Sequence, residues 1–349
     1  MEGPMAKTAQ DVVVSFIQAI NQADLPGLTS LLSPTHQVLD LGGETFKGAE
    51  IMVKGWRGYL DENPNYRIFI RQIYASGNSV ILIGHTTGSH LNLPEVVEFH
   101  SEGVIWIASV KEEKIVSWQI LADTLENYNR LVLDDYQLVF NPPLYAATIA
   151  KHLDLLPPGT RTQDVRNVRI LYSREYKAAK PEDMLKLCEH LFFDEGYRFV
   201  PYELIFYHPG AIEALSLEQV IHLGQGIGDW SSVEYYAHFI AGPAWKKGIL
   251  SDAQIEDWIA SKDVWWRCAA VVTTVYSGEE VNRMLQYSKK LLDDREDVII
   301  KALSWGLRNA LNRDQAAVIQ FLEQNNDRLA ARIKREVKHK LQTYLETPK

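Results

Sequence analysis

Apolar positions recur every three or four residues at the front of the chain. Val12, Val13, Phe16, Ile17 and Ile20 follow Thr8 at this spacing, which predicts a capped amphipathic helix. Asp24-Leu25-Pro26 opens a second, short helix through Leu31–Leu32, and a third begins near Gly48 with Met52, Trp56, Tyr59 and Leu60. A strand is expected between them, near Val38–Leu41, ended by Gly42-Gly43. Beyond Pro64 the period changes to two: Val80, Leu82 and Gly84 alternate with Ile81, Ile83 and His85. Strands are predicted at Tyr66–Ala75, Ser79–His90, Val96–Ser101, Val104–Lys111 and Ile115–Ala122. Helices followed by an antiparallel meander describe an α+β domain, assigned to residues 1–140.

The pattern turns helical for good after Asn141-Pro142-Pro143. Residues 141–349 are therefore assigned to an all-α domain, with helices such as Ala146–Leu156, Asp252–Ala260, Val264–Val275 and Val298–Leu311. Asp, Ser or Pro precedes most of them, as N-capping requires. Pairs recur at about 40 residues, the period of HEAT-type arrays. An α-solenoid of such pairs offers a concave face to an elongated partner.

Charge adds a division between the halves. The net charge is −9. Residues 1–140 hold 9 Lys+Arg against 17 Asp+Glu, giving −8, so the remainder carries only −1. The back half can then carry a basic groove, although its balance does not require one. No run approaches the ~18 apolar residues of a membrane span, and the first residues lack a signal-peptide pattern. Cys188 and Cys268 are distant in sequence, which suits free thiols in a reducing, cytoplasmic setting. No Cys/His spacing suggests a metal, and no cofactor is expected.

The stretch Asp229–Arg308 holds six of the nine tryptophans. At helical spacing most should fill core, and Trp258 and Trp265 are expected to pack between repeats. Trp230 and Glu234 are four apart, hence on one helix face, and Trp305 and Arg308 are three apart on another.

The order of these features resembles the AlkD-like, HEAT-repeat DNA alkylation repair glycosylases. The marks are Gly159–Arg166, Trp230 with Glu234, Trp258–Ser261 leading to Trp265 and Ala269-Ala270, and Lys301–Arg308. The resemblance implies that Trp230 and Trp305 flank a damaged nucleotide and that Glu234 is the carboxylate at its sugar. The implied partner is double-stranded DNA with alkylated bases, and Arg267, Lys246, Lys247 and Arg308 are the phosphate-contact candidates. Three positions depart from the family pattern. Its aspartate is Glu234 here, its arginine falls on Cys268 with Arg267 one place earlier, and its early proline is Gln163.

The front third resembles the SnoaL-like branch of the nuclear-transport-factor cone fold, through Thr87-Gly88-Ser89-His90 and the closing strand Lys114–Trp118 running to Asp123. That fold implies a conical pocket for a small-molecule ligand. Asp40, His90 and His100 are its candidate polar groups, with Trp56, Tyr59 and Trp118 as walls. It also implies a homodimer through the sheet. Three functions stay open on the sequence: alkylpurine glycosylase, non-catalytic DNA-binding scaffold, and small-molecule binding or isomerase-type activity in the front domain.

Overall fold

The computed structural model describes residues 6–101, 103–278 and 281–346. It forms two compact units. One comprises the chain up to Tyr172 together with Glu189–Tyr197, and the other is the remainder.

In the front unit Thr8 caps α1 (Ala9–Asn21) through a reciprocal box with Asp11. Helices α2 (Leu25–Leu31) and α3 (Ala49–Glu62) follow. Among the described residues the sheet has seven strands, β1 (Leu32–Leu39), β2 (Thr45–Lys47), β3 (Arg67–Ser76), β4 (Ser79–Thr87), β5 (Val104–Lys111), β6 (Lys114–Ala122) and β7 (Gln137–Leu138). Their order is β2-β1-β6-β5-β4-β3-β7. Helix α1 buries Val12, Val13, Phe16, Ile17 and Ile20 against this sheet.

Two details differ from the sequence expectation. The sheet is mixed, because β1 runs parallel to β6. The segment expected as a strand at 96–101 is instead the short helix α4 (Glu95–Phe99). Pro94 starts that turn, and the turn directs Glu98 inward, where it accepts from Thr86 Oγ1 at 2.8 Å and Ser89 N–H at 3.2 Å.

Gly84 of β4 faces β3 beside a bulge at Ile70/Gln72. A Cβ there would sit 2.0 Å from the Phe69 carbonyl oxygen. Gly84→Ala is expected to destabilise the front unit by roughly 1–3 kcal/mol. A thermal melt unchanged by the substitution would contradict this.

After α5 (Leu125–Arg130) the chain enters α6 (Pro142–Asp154), which packs on β3. Tyr145 Oη donates to Val139 O at 2.8 Å and accepts from Ile73 N–H at 3.0 Å, while Thr148 Oγ1 donates to Ile70 O at 2.7 Å. The change from strand to helix thus falls at Pro142, while α6 belongs by packing to the sheet.

Three histidines gather beside α4 and α6. His100 Nδ1 lies 2.7 Å from Val96 O, His100 Nε2 lies 3.2 Å from His152 Nε2, and His152 Nδ1 lies 3.3 Å from Tyr172 Oη. Burial lowers both His85 and His152 to about 4, with further lowering of His85 by Arg71 and of His152 by His100. Both rings fold neutral, whereas the unfolded chain protonates them near pH 6.5. Their contribution is complete above that pH and is lost progressively between about 6.5 and 4. The urea midpoint of the front unit should therefore be lower at pH 5 than at pH 7, and equal midpoints would refute the assignment.

The back unit is helical. Helix α7 (Thr162–Glu175) belongs to the front unit up to Tyr172, and α8 (Pro181–Phe193) belongs to the back unit up to Cys188; the back unit continues with α9 (Phe199–Tyr207), α10 (Ala211–Ala214), α11 (Leu217–Leu223) and α12 (Trp230–Tyr236). A π-helical turn over Ala237–Ala241 joins α12 to α13 (Gly242–Lys246). Then come α14 (Asp252–Ile259), α15 (Val264–Tyr276), α16 (Val281–Lys290), α17 (Asp297–Ala310), α18 (Gln315–Gln324) and α19 (Ala331–Glu346). Asp229, Ser251, Asp263 and Asp314 cap their helices as their residue types require. Packing sorts the helices into two layers. One runs α12, α15, α17, α19, and the other α14, α16, α18. This alternation of neighbours is the signature of an α-solenoid. Gly306 lets α17 approach α15, since a Cβ there would lie 3.3 Å from Val275 Cγ2.

Candidate functional site

The first layer of helices brings the predicted trio together. Asp229 accepts from Ser232 N–H at 2.9 Å and starts α12. The helix then carries Trp230, its first residue, and Glu234, one turn on, on the same face, and Trp230 Nε1–H donates to Glu234 Oε2 at 3.1 Å. The helix then widens into its π turn just ahead of Pro243, which has no N–H to give an α-helical ladder. Gly242 sits under α15: a Cβ there would lie 2.7 Å from Ala237 O and 3.0 Å from Tyr276 C and Cβ. This close approach delivers Tyr276, the last residue of α15, whose Oη–H donates to Glu234 Oε1 at 3.0 Å. Both carboxylate oxygens are thus fixed by donors from two helices. Burial raises the Tyr276 phenol, and the Glu234 charge raises it further, so it keeps its proton and remains a donor.

Trp305 of α17 completes the arrangement. Its ring meets Trp230 at 5.9 Å and 80°, and Tyr276 at 5.4 Å and 45°. The two indoles therefore form a corner rather than two parallel slabs, and no flat ring fits between them as they stand. All four side chains are partly exposed, so the corner is open to solvent. Lys301, one turn before Trp305, places Nζ 4.0 Å from the centre of the Trp230 ring.

Tyr276 and Lys301 were not singled out from sequence. Lys301 carried a usable signal, because it lies four residues before Trp305 and so shares its face. Tyr276 carried none, since its reach depends on the approach of two helices.

The four cations expected at phosphates are spread over α13 and its C-cap Lys247, α15 and α17. Arg267 is committed within the protein: it pairs with Asp294 at 2.8 Å and donates to the Ser261 and Lys262 carbonyls at 2.9 and 3.0 Å. Lys247 pairs with Glu213 at 2.6 Å, and Arg308 lies 3.5 Å from Glu336. Lys246 is exposed at the end of α13. Cys268 is fully buried, and burial pushes its thiol up to about 12 with a small opposing effect from Lys301. Cys188 is likewise a buried free cysteine.

A second candidate site is a cavity of about 900 Å³ in the front unit. Asp40, Trp56, His90 and Trp118 line it together with Tyr59 and Tyr66. Tyr59 Oη lies 3.2 Å from His90 Nδ1, and burial raises the Tyr59 phenol. His100 is a correction. It is not among the lining residues, because it ends α4 facing His152. Among the described residues no group of three or more His, Cys, Asp or Glu could hold a metal ion, and no helix is long and apolar enough to cross a membrane.

Comparison with known proteins bears on both units. The family model described as DNA alkylation repair enzyme matches residues 158–341, more than half of the chain. The chain belongs to the DNA alkylation repair enzyme family. Its site trio lies wholly within the matched span. A second model, SnoaL-like domain, matches residues 13–118 of this family member. Similar solved structures include an NTF2-like protein of unknown function from Cytophaga hutchinsonii, at 15% identity over 36% of this chain and 99% of that one, with a TM-score of 0.29. Another is a putative polyketide cyclase from Streptomyces antibioticus, at 18% identity over 34% of this chain and 93% of that one, with a TM-score of 0.28. No curated protein matches the chain.

Proposed function

We propose that the helical domain, as a HEAT-type array, hydrolyses the N-glycosidic bond of alkylated, cationic purines in double-stranded DNA. The observation that carries this reading is the Glu234 carboxylate, held by Trp230 Nε1–H and Tyr276 Oη–H at the open corner of two indoles. Alkylation at N3 or N7 puts positive charge on the purine and weakens its bond to the sugar. Departure of the base builds oxocarbenium character on the deoxyribose. A fixed anion beside that ring stabilises the developing charge and orients the attacking water. The corner shape suits a puckered sugar, whose C–H edges can rest on two perpendicular indole faces. The long Glu side chain, one methylene longer than the family's aspartate, is kept from wandering by its two donors.

The family membership supports a repair role, and the test of the chemistry is release of methylated base from duplex DNA. Absence of release by the wild-type protein would retire the glycosylase and leave a DNA-binding scaffold. Tyr276→Phe removes a donor to a charged acceptor, a hydrogen bond worth ~1.5–3 kcal/mol. Base release is expected to fall by roughly tenfold or more, and an unchanged rate would remove Tyr276 from the site.

A second reading applies to the front domain alone. Its large cavity, walled by Trp56, Trp106 and Trp118 with Asp40 and His90 as polar groups, favours binding of a small, largely apolar molecule. Direct titration with apolar ligands, comparing wild type with Trp56→Ala, tests it.

A further inference from the structure

Lys301 stands apart from Arg267, Lys247 and Arg308. Arg267, Lys247 and Arg308 are each within ion-pair distance of a carboxylate, whereas among the described residues Lys301 has no carboxylate partner. Its amine lies over the face of Trp230 at 4.0 Å, and the same indole offers its N–H edge to Glu234. An amine and a carboxylate therefore flank one ring, at the corner where the sugar would lie. The nearby Cys268 is fully buried and keeps its thiol neutral. Among the described residues no second cation lies over the Trp230 ring.

We propose that Lys301 Nζ acts as a nucleophile toward the C1′ aldehyde of an abasic deoxyribose, giving the protein an abasic-site lyase activity. This rests on the reading of the corner as a sugar site. In its unprotonated form the amine adds to C1′, and the carbonyl oxygen takes up a proton. Water then leaves with its electron pair, and an iminium links Lys301 to the sugar. Loss of a proton from C2′ to the Glu234 carboxylate forms the C2′–C3′ double bond as the C3′–O bond breaks. The 3′ phosphate departs with that electron pair. Water finally hydrolyses the iminium and restores the amine. No oxidant or reductant is consumed.

The probe is a duplex carrying one abasic site, incubated with the full-length protein and sodium borohydride, which reduces the iminium to a stable secondary amine. We expect a covalent protein–DNA adduct whose tryptic peptide carries the modification on Lys301. Lys301→Arg keeps the positive charge and should cut adduct yield at least tenfold. An adduct mapped to another amine, or no adduct from wild-type protein that binds the duplex by anisotropy, overturns the proposal. The abasic probe needs no base excision, so the two readings fail separately. Base release without adduct removes the lyase alone, and absence of duplex binding removes both.

Discussion

Glu234→Gln should lower base release from methylated duplex DNA by about 10²–10³-fold, the cost of removing one preorganised group that stabilises developing charge. The substitution is nearly isosteric. The amide oxygen still accepts from one of the two donors, and the Tyr276 hydroxyl can rotate to accept from the amide nitrogen. The fold is therefore expected to hold, with a melting temperature close to wild type. Duplex binding should be unchanged or tighter, because a negative charge has been removed from a surface that meets phosphates. Loss of rate with retained binding assigns the carboxylate to the transition state rather than to ground-state affinity. Release at the wild-type rate would sink the assignment of Glu234.

Gly242→Ala is expected to damage both stability and activity. The added methyl meets the Ala237 carbonyl oxygen at 2.7 Å and the Tyr276 backbone and Cβ at 3.0 Å, and neither neighbour is the end of a flexible side chain. Overpacking of this kind costs roughly 1–3 kcal/mol, so the thermal transition of the helical unit should fall by several degrees. Relief comes by moving α15 away from the π turn, which withdraws the Tyr276 hydroxyl from its 3.0 Å bond to Glu234. Base release should then drop at least as far as in Tyr276→Phe. Wild-type stability together with wild-type rate would show that the close approach is not required. The contrast with Glu234→Gln separates chemistry from architecture, since one variant loses rate alone and the other loses both.

Much of this was legible in the sequence because it rests on short-range periodicity. Trp230 and Glu234 had to share a face once their helix was granted, and the period-two run Val80–His85 had to be a strand. The strand expected at 96–101 failed because two β-branched residues in a row favour strand locally, while Pro94 and the inward demand of Glu98 favour a helical turn. Helix α9 has bounds that local periodicity does not mark. Val200, Tyr202, Leu204 and Ile205 are all buried, so no polar face marks a helical period. The meeting of Trp230 with Trp305 spans 75 positions and comes from stacking of α12, α15 and α17, which no local pattern reports. The same limit hid Tyr276. His100 misled because a histidine near the pocket in sequence turned instead toward α6, where His152 receives it.

The corner of Trp230, Tyr276 and Trp305 is assembled from α12, α15 and α17, successive members of one layer, so its shape is tied to the pitch of the array. Any strain that bends or straightens the stack must swing the Trp305 indole relative to Trp230, and with it the width of the opening beside Glu234.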